Sequence, residues 1–163
     1  MNQQADWWKK PRTISIVVDN DSWILPYAED LTASQEEAGD NVTLLRSYDD
    51  IPVGDVAFFL GCVGIATNDQ LARSRRNLVV HESALPKGKG FAPVAWQILS
   101  GENTIPICLL DATDKPDAGN IIYQSKIDID AHELMDEIRH KQGLATQALC
   151  RQFLAEEMPP EGI

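Results

Sequence analysis

Residues 77–124 read NLVVHESALPKGKGFAPVAWQILSGENTIPICLLDATDKPDAGNIIYQ, and their alternation of apolar runs with polar punctuation decides the fold class. Leu78-Val79-Val80 is a short apolar run of the kind a buried strand shows, and it delivers His81 to the start of a loop. Strand ends are where an open α/β sheet presents reactive groups, because the chain leaves the packed core there while still anchored by it. A helical pattern follows from about Ala92 to Leu99, then a second apolar strand from Thr104 to Leu110. The acidic loop Asp111-Ala112-Thr113-Asp114-Lys115-Pro116-Asp117-Ala118-Gly119 comes next, and a carboxylate from it can meet the imidazole if the two strands are neighbours.

Working outward, Thr13 to Val18 alternates and then runs apolar, as a first central strand does, and Asp19-Asn20-Asp21-Ser22 is a polar turn with Ser22 available as a cap. Pro26 suits the first turn of a helix that Gly39 ends. That first strand-to-helix turn holds no glycine, which removes most support for a dinucleotide site, where backbone must approach phosphate closely. Asn41 to Leu45 and Val56 to Leu60 are two further strands, joined through Asp49-Asp50-Ile51-Pro52 by a link too short for a full helix. Thr67-x-x-Gln70 is a capping-box signature, and Arg73, Arg75 and Arg76 after it complement the dipole of a short helix. Beyond Gln124, a strand to Ile127 precedes a long helix capped by Asp130 with Glu133, whose core face is Leu134, Ile138, Ala145 and Leu149 with Met135 and Phe153 beside it. Trp7-Trp8 folds back onto the domain, and the tail after residue 155 frays.

The ordered set His81-x-Ser83-x-Leu85-Pro86, Lys87-Gly88-Lys89-Gly90, Pro93-x-x-Trp96, Gly101-Glu102 and Asp117-x-Gly119-x-Ile121 with Gln124 resembles the catalytic half of the formyltetrahydrofolate-dependent formyltransferases. That family includes methionyl-tRNA, glycinamide ribonucleotide and sugar N-formyltransferases. The resemblance implies a single α/β, Rossmann-like domain over residues 13–154 with a mostly parallel central sheet and a compressed N-terminal half, an N-terminal extension over 1–12 and a flexible tail over 155–163. It implies His81 and Asp117 as catalytic residues. Gly61, Cys62, Val63, Ser83, Leu85, Pro86 and Asp111 would contact the formyltetrahydrofolate co-substrate, and Lys87, Gly88, Lys89 and Gly90 the acceptor, with no metal. The chain departs from the family where Val79 stands in place of an asparagine; Asn77 is on the same strand face but about 6 to 7 Å further back. Formyltetrahydrofolate hydrolysis, hydroxymethyl transfer, or folate or nucleotide binding without catalysis are the alternative activities.

Composition narrows the partners. With 163 residues and 44% hydrophobic content the chain fits one domain with one substantial core. Its net charge of -11 argues against a phosphate-backbone binder, which needs a basic footprint, and so against nucleic acid; the resemblance then implies a small-molecule amine acceptor, an amino sugar among them. Cys62, Cys108 and Cys150 form no C-x-x-C pair and suit reduced thiols in a cytoplasmic protein. No apolar run approaches the ~20 residues that span a bilayer. Trp7-Trp8 and the final helix are the candidate contacts of a homodimer.

Overall fold

The computed structural model describes residues 6–82, 93–130 and 132–163. In chain order the elements are β1 (Thr13–Val17), α1 (Leu25–Glu37), β2 (Asn41–Leu45), β3 (Gly54–Phe59), α2 (Asn68–Leu71), β4 (Ser74–His81), α3 (Pro93–Leu99), β5 (Thr104–Asp111), β6 (Ile121–Asp128) and α4 (Met135–Ala155). Among the described residues the strands form one sheet in the order β2-β1-β3-β4-β5-β6. β1 pairs in parallel with β2 and β3, and β3 with β4. β5 runs antiparallel to both β4 and β6. The expected mostly parallel α/β sheet is therefore present, with an antiparallel hairpin at one edge.

The two faces of the sheet are covered unequally. Ile14, Ile16, Phe58, Leu60 and Leu78 share one core with Ala28 and Leu31 of α1, Val94 of α3 and Ile138, Leu149 and Phe153 of α4. Side chains of alternate strand residues point the other way. There, among the described residues, Val17, Ala57 and Phe59 pack with Leu45 of β2 and with Ile51, Ala66, Tyr48, Cys62, Leu71 and Ala112, from loops and the single turn of α2. The cause is the short link after β2: a 3-10 turn at Tyr48–Asp50 stands where a longer crossover would lay a helix on this face. The compression expected from sequence thus leaves the second face to the loops that build the site.

Several local expectations hold and others shift. Thr67 caps α2 through Gln70 as a capping box. Trp8 is 4% exposed, edge-on to Phe153, with its indole N–H donating to Glu156 O at 2.8 Å. The arginines do not act on a helix dipole: Arg73 donates to the carbonyls of Tyr48, Asp49 and Ile51, whereas Arg75 and Arg76 already belong to β4. The strand starts directly after α2 and carries their side chains away from its end. α4 begins at Met135, later than expected, with Glu137 rather than Glu133 accepting from the backbone N–H of Leu134. Leu134 and Met135 are consequently exposed, while Ile138, Leu149 and Phe153 are buried.

Gly143 does not interrupt α4. A Cβ there would lie 2.4 Å from the Tyr27 ring, so the missing side chain is what lets α1 and α4 approach. Residues 156–163, expected to fray, are tied down: Ile163 and Ile121 exchange backbone hydrogen bonds of 2.8 and 2.9 Å, and Arg76 Nη1 donates to Pro160 O at 2.7 Å. Among the described residues no helix is long and apolar enough to cross a membrane.

Candidate active site

A cleft of about 520 Å³ opens at the carboxyl ends of the parallel strands. Its walls come from Asn20 after β1, Gly61 to Ala66 after β3, Val79 to Glu82 at the end of β4, the loop after β5 and Gln142 of α4. This is the region in which open α/β sheets bind ligands, where strand order reverses between β1 and β3. The size is within the usual range for a small-molecule pocket, about 300 to 1,000 Å³.

His81 and Asp117 meet here. His81 Nδ1 lies 3.3 Å from Asp117 Oδ1, and the two side chains are 8% and 12% exposed. The antiparallel turn of β5 makes this contact local in space, since His81 pairs with Cys108 and Leu78 with Asp111. Beyond Asp111 the loop runs over the β4 face that carries Asn77, Val79 and His81, starting with Ala112 N–H donating to Asn77 O at 2.8 Å. Asp117 turns back with φ of 54°, a left-handed conformation that aspartate tolerates better than most residues. Gly119 closes the loop so tightly that a Cβ on it would sit 1.7 Å from Asp111 O. Any larger residue there would push the loop, and Asp117 with it, off the sheet.

Val79, two residues before His81 on the same strand face, lines the cleft as an apolar patch. Asn77 does not replace the amide: its Nδ2 donates to Leu71 O at 2.8 Å and to Ser74 O at 3.4 Å, holding the turn between α2 and β4. Asp111 lines the cleft with its carboxylate bound to Arg76 Nη2 at 3.0 Å.

Gly61, Cys62 and Val63 also line the cleft, and their polar groups are largely committed. Gly61 O accepts from Asn20 Nδ2 at 2.8 Å. The backbone N–H groups of Val63 and Gly64 donate to the two oxygens of Asp19 at 2.9 and 2.8 Å. Tyr48 Oη lies 3.0 Å from Asp19 Oδ2 and 2.8 Å from Gly64 O. Burial alone would raise the Asp19 carboxyl, but hydrogen bonds from Asn20, Val63, Gly64 and Tyr48 outweigh it and hold the group below its ordinary value. Burial, and then Cys62 and Asp19, push the Tyr48 hydroxyl up, so it remains a donor. Cys62 Sγ donates to Val17 O at 3.2 Å, and burial raises that thiol also. The side chains of Val63 and Ile65, 60% and 52% exposed, are what this segment leaves open to the cleft.

Ser83, Leu85, Pro86, Lys87, Gly88, Lys89 and Gly90 lie outside the described residues. Inspection of the sequence alone overlooked Glu82, Gln142, Tyr48 and Asp19. Glu82 offered a signal, an acid directly after the histidine in an otherwise apolar strand end. Asp19 offered a fainter one, as the first residue beyond a strand; Gln142 and Tyr48 offered none.

The sequence profile of the family described as Formyl transferase matches residues 20–151. Methionyl-tRNA formyltransferase of Mycoplasmopsis pulmonis is 40% identical over 62 residues, 38% of this chain and 22% of that protein, so the chain spans about a fifth of that relative's length. HypX of Aquifex aeolicus in complex with tetrahydrofolic acid superposes with a TM-score of 0.71 at 17% identity, over 94% of this chain and 28% of that one. A sugar N-formyltransferase from a Shewanella species does so at 0.68 and 14% identity, over 92% and 72%. At such identities the structural matches speak for the fold alone, whereas the profile spans most of the sequence, cleft included: the chain belongs to the formyl transferase family.

Proposed function

We propose that this chain moves a formyl group from a formyltetrahydrofolate donor to the amino group of a small acceptor, with an amino sugar as the acceptor class. The carrying observation is the His81–Asp117 contact on the wall of the cleft. Family membership, and the tetrahydrofolic acid that HypX binds on the same fold, support the donor. The net charge of -11 disfavours a polyanionic acceptor such as tRNA, and the sugar N-formyltransferase shares the fold.

The cleft fits a flat bicyclic ring: Phe59, Trp23, Val63 and Ile65 give it apolar walls, and the His81 pair gives it a polar end. The donor supplies the formyl carbon. The acceptor nitrogen forms a new C–N bond to that carbon while the carbonyl pair moves onto oxygen. Collapse of the resulting oxyanion breaks the bond to the donor nitrogen, and one proton travels overall from acceptor to donor nitrogen. His81 is suited to relay that proton, since imidazole both accepts and releases protons near neutral pH. Asp117 orients the ring through Nδ1 and stabilises positive charge on it. Lys87 and Lys89 with Gly88 and Gly90 are proposed to contact the acceptor, and Ser83, Leu85 and Pro86 the donor.

The test is a formylation assay against pooled small amines. His81→Ala is expected to lower kcat by about 100-fold to 10,000-fold, the usual worth of a general acid–base group. Unchanged turnover would remove His81 from the chemistry, and absence of folate binding by calorimetry in the wild type would sink the donor assignment.

A further inference from the structure

Residues 156–163 line no part of the cleft, yet they are bound to the loop that carries Asp117. Resting on the formyl-transfer proposal above, we infer that Arg76 is a positioning residue for that reaction. Together with the segment 160–163 it clamps the neck of the 111–119 loop, and so sets where Asp117 meets His81.

The neck is where β5 leaves the sheet and β6 enters it. Asp111 N–H donates to Asn120 O at 2.9 Å, and Gly119 is pressed against Asp111 O, so both ends of the loop bear on one residue. Arg76 holds that residue from the side. Its Nη2 donates to Asp111 Oδ1 at 3.0 Å and its Nη1 to Pro160 O at 2.7 Å. The side chain is 12% exposed and its guanidinium lies 5.3 Å over the Phe153 ring of α4, so packing fixes it as well as its bonds. A planar fork with one arm on each partner ties the two in a set geometry, which a lysine ammonium does not. The far side of the neck is held by the tail itself. Ile121 and Ile163 exchange their backbone hydrogen bonds there, and Gly162 packs so closely that a Cβ on it would lie 2.6 Å from Asn120 Cβ. Where it leaves α4 the tail is anchored in turn: Glu156 accepts from Trp8 Nε1 at 2.8 Å and from Tyr123 Oη at 2.6 Å. Asp117 stands between the clamped ends, with Oδ1 3.3 Å from His81 Nδ1. A shift of the neck is carried to that contact, and about 1 Å of misplacement at a reacting centre can cost about 100-fold in rate.

The experiment measures kcat for amine formylation at saturating donor in wild type, Arg76→Met, Arg76→Lys and Gly162→Ala, with native-state amide exchange by NMR on the same proteins. Arg76→Met keeps an unbranched chain against Phe153 and loses both bonds, so kcat should fall about 10-fold to 100-fold. Arg76→Lys reaches one partner at a time and should fall between Met and wild type. Gly162→Ala leaves Arg76 intact but pushes the tail off Asn120, and should lower kcat about 3-fold to 10-fold. In Arg76→Met and Gly162→Ala the amides of Asp111 and Ile121 should exchange at least ~10-fold faster, while those of β1 and β3 keep their wild-type rates. Wild-type kcat in either variant, or exchange that quickens equally throughout the sheet, overturns the inference while leaving formyl transfer intact. A wild type that formylates no amine overturns that reading instead, and the exchange rates, which need no turnover, then decide whether the clamp exists.

Discussion

Arg12 with Asp40 and His81 with Asp117 place the same kind of pair, a nitrogen cation or its precursor against a carboxylate, at opposite ends of the sheet. Before β1 and β2, Asp40 accepts from Arg12 N, Nε and Nη2 at 2.9, 3.0 and 2.8 Å and from Gln35 Nε2 at 2.7 Å. Arg12 Nη1 reaches Leu154 O at 2.9 Å, its guanidinium lies 4.5 Å over the Trp8 ring, and the two side chains are 2% and 0% exposed. Every lone pair finds a donor, so the pair can only hold α1, β2 and the end of α4 together. The His81 pair lies on the wall of a cleft, where a ligand can reach the ring. The difference teaches that position, enclosed among packed elements or bordering a cleft, rather than charge or burial alone, separates a pair that can only be structural from one that a ligand can approach.

The largest expected effect breaks this contrast if it fails. Removing one partner of a closed, buried pair leaves the other charge stranded, so Asp40→Ala should cost about 3 to 5 kcal/mol in urea unfolding. His81→Ala should cost less than Asp40→Ala in the same measurement while abolishing most turnover, since Asp117 borders the cleft and water can enter the space the ring leaves. Equal destabilisation by the two variants would erase the distinction. The Asp40 effect also carries a pH sign. Burial alone would raise that carboxyl, but Arg12 and Gln35 hold it below its ordinary value, so its contribution is present above that value and is lost as pH falls through the lowered one. The stability gap between wild type and Asp40→Asn should therefore be constant near neutrality and shrink only below about pH 4.

A second test concerns how the walls of the cleft are held. Gly143→Ala puts a methyl group 2.4 Å from the Tyr27 ring, and Tyr27 packs edge-on to Trp23, which lines the cleft. Overpacking of this kind costs about 1 to 3 kcal/mol, and folate binding by calorimetry should weaken along with stability, because the displaced ring reaches the binding wall. Loss of stability with unchanged binding would separate the α1–α4 contact from the site.

Much of the fold was legible because it rests on local patterns. The apolar runs at Ile14 to Val17, Phe58 to Leu60 and Leu78 to Val80 became central strands, and the link after β2, too short for a full helix, holds only a 3-10 turn. His81 and Asp117 were legible only as members of an ordered motif, since nothing in sequence spacing shows that an antiparallel β5 will fold its loop back over β4. Arg12–Asp40 escaped notice because both residues flank strands and look like ordinary surface charges until the ends of α1 and α4 cover them. Leu134 was misassigned to the core because the apolar period is continuous through it, while the helix itself begins one residue later. Glu82 was passed over because a polar residue at a strand end usually marks the start of a solvated loop.

The smallest effect sharpens the comparison at the cleft itself. Asp19 resembles Asp40 in having its oxygens filled, by Asn20 Nδ2, Val63 N, Gly64 N and Tyr48 Oη, yet it borders the site as Asp117 does, so closure there fixes a binding loop. Tyr48→Phe keeps the ring that packs edge-on to Phe59 and removes only the hydroxyl. With the bond partly exposed, the cost should be about 1 kcal/mol of stability, small beside Asp40→Ala. Its effect on function should be of a different kind. With one of four donors gone, the 61–64 turn is less firmly held against Asp19, so KM for the folate donor should rise several-fold while kcat, set at His81, stays near the wild-type value. A fall in kcat without change in KM would place Tyr48 in the chemistry instead, and would show that a filled hydrogen-bond shell does not by itself confine a residue to holding the backbone.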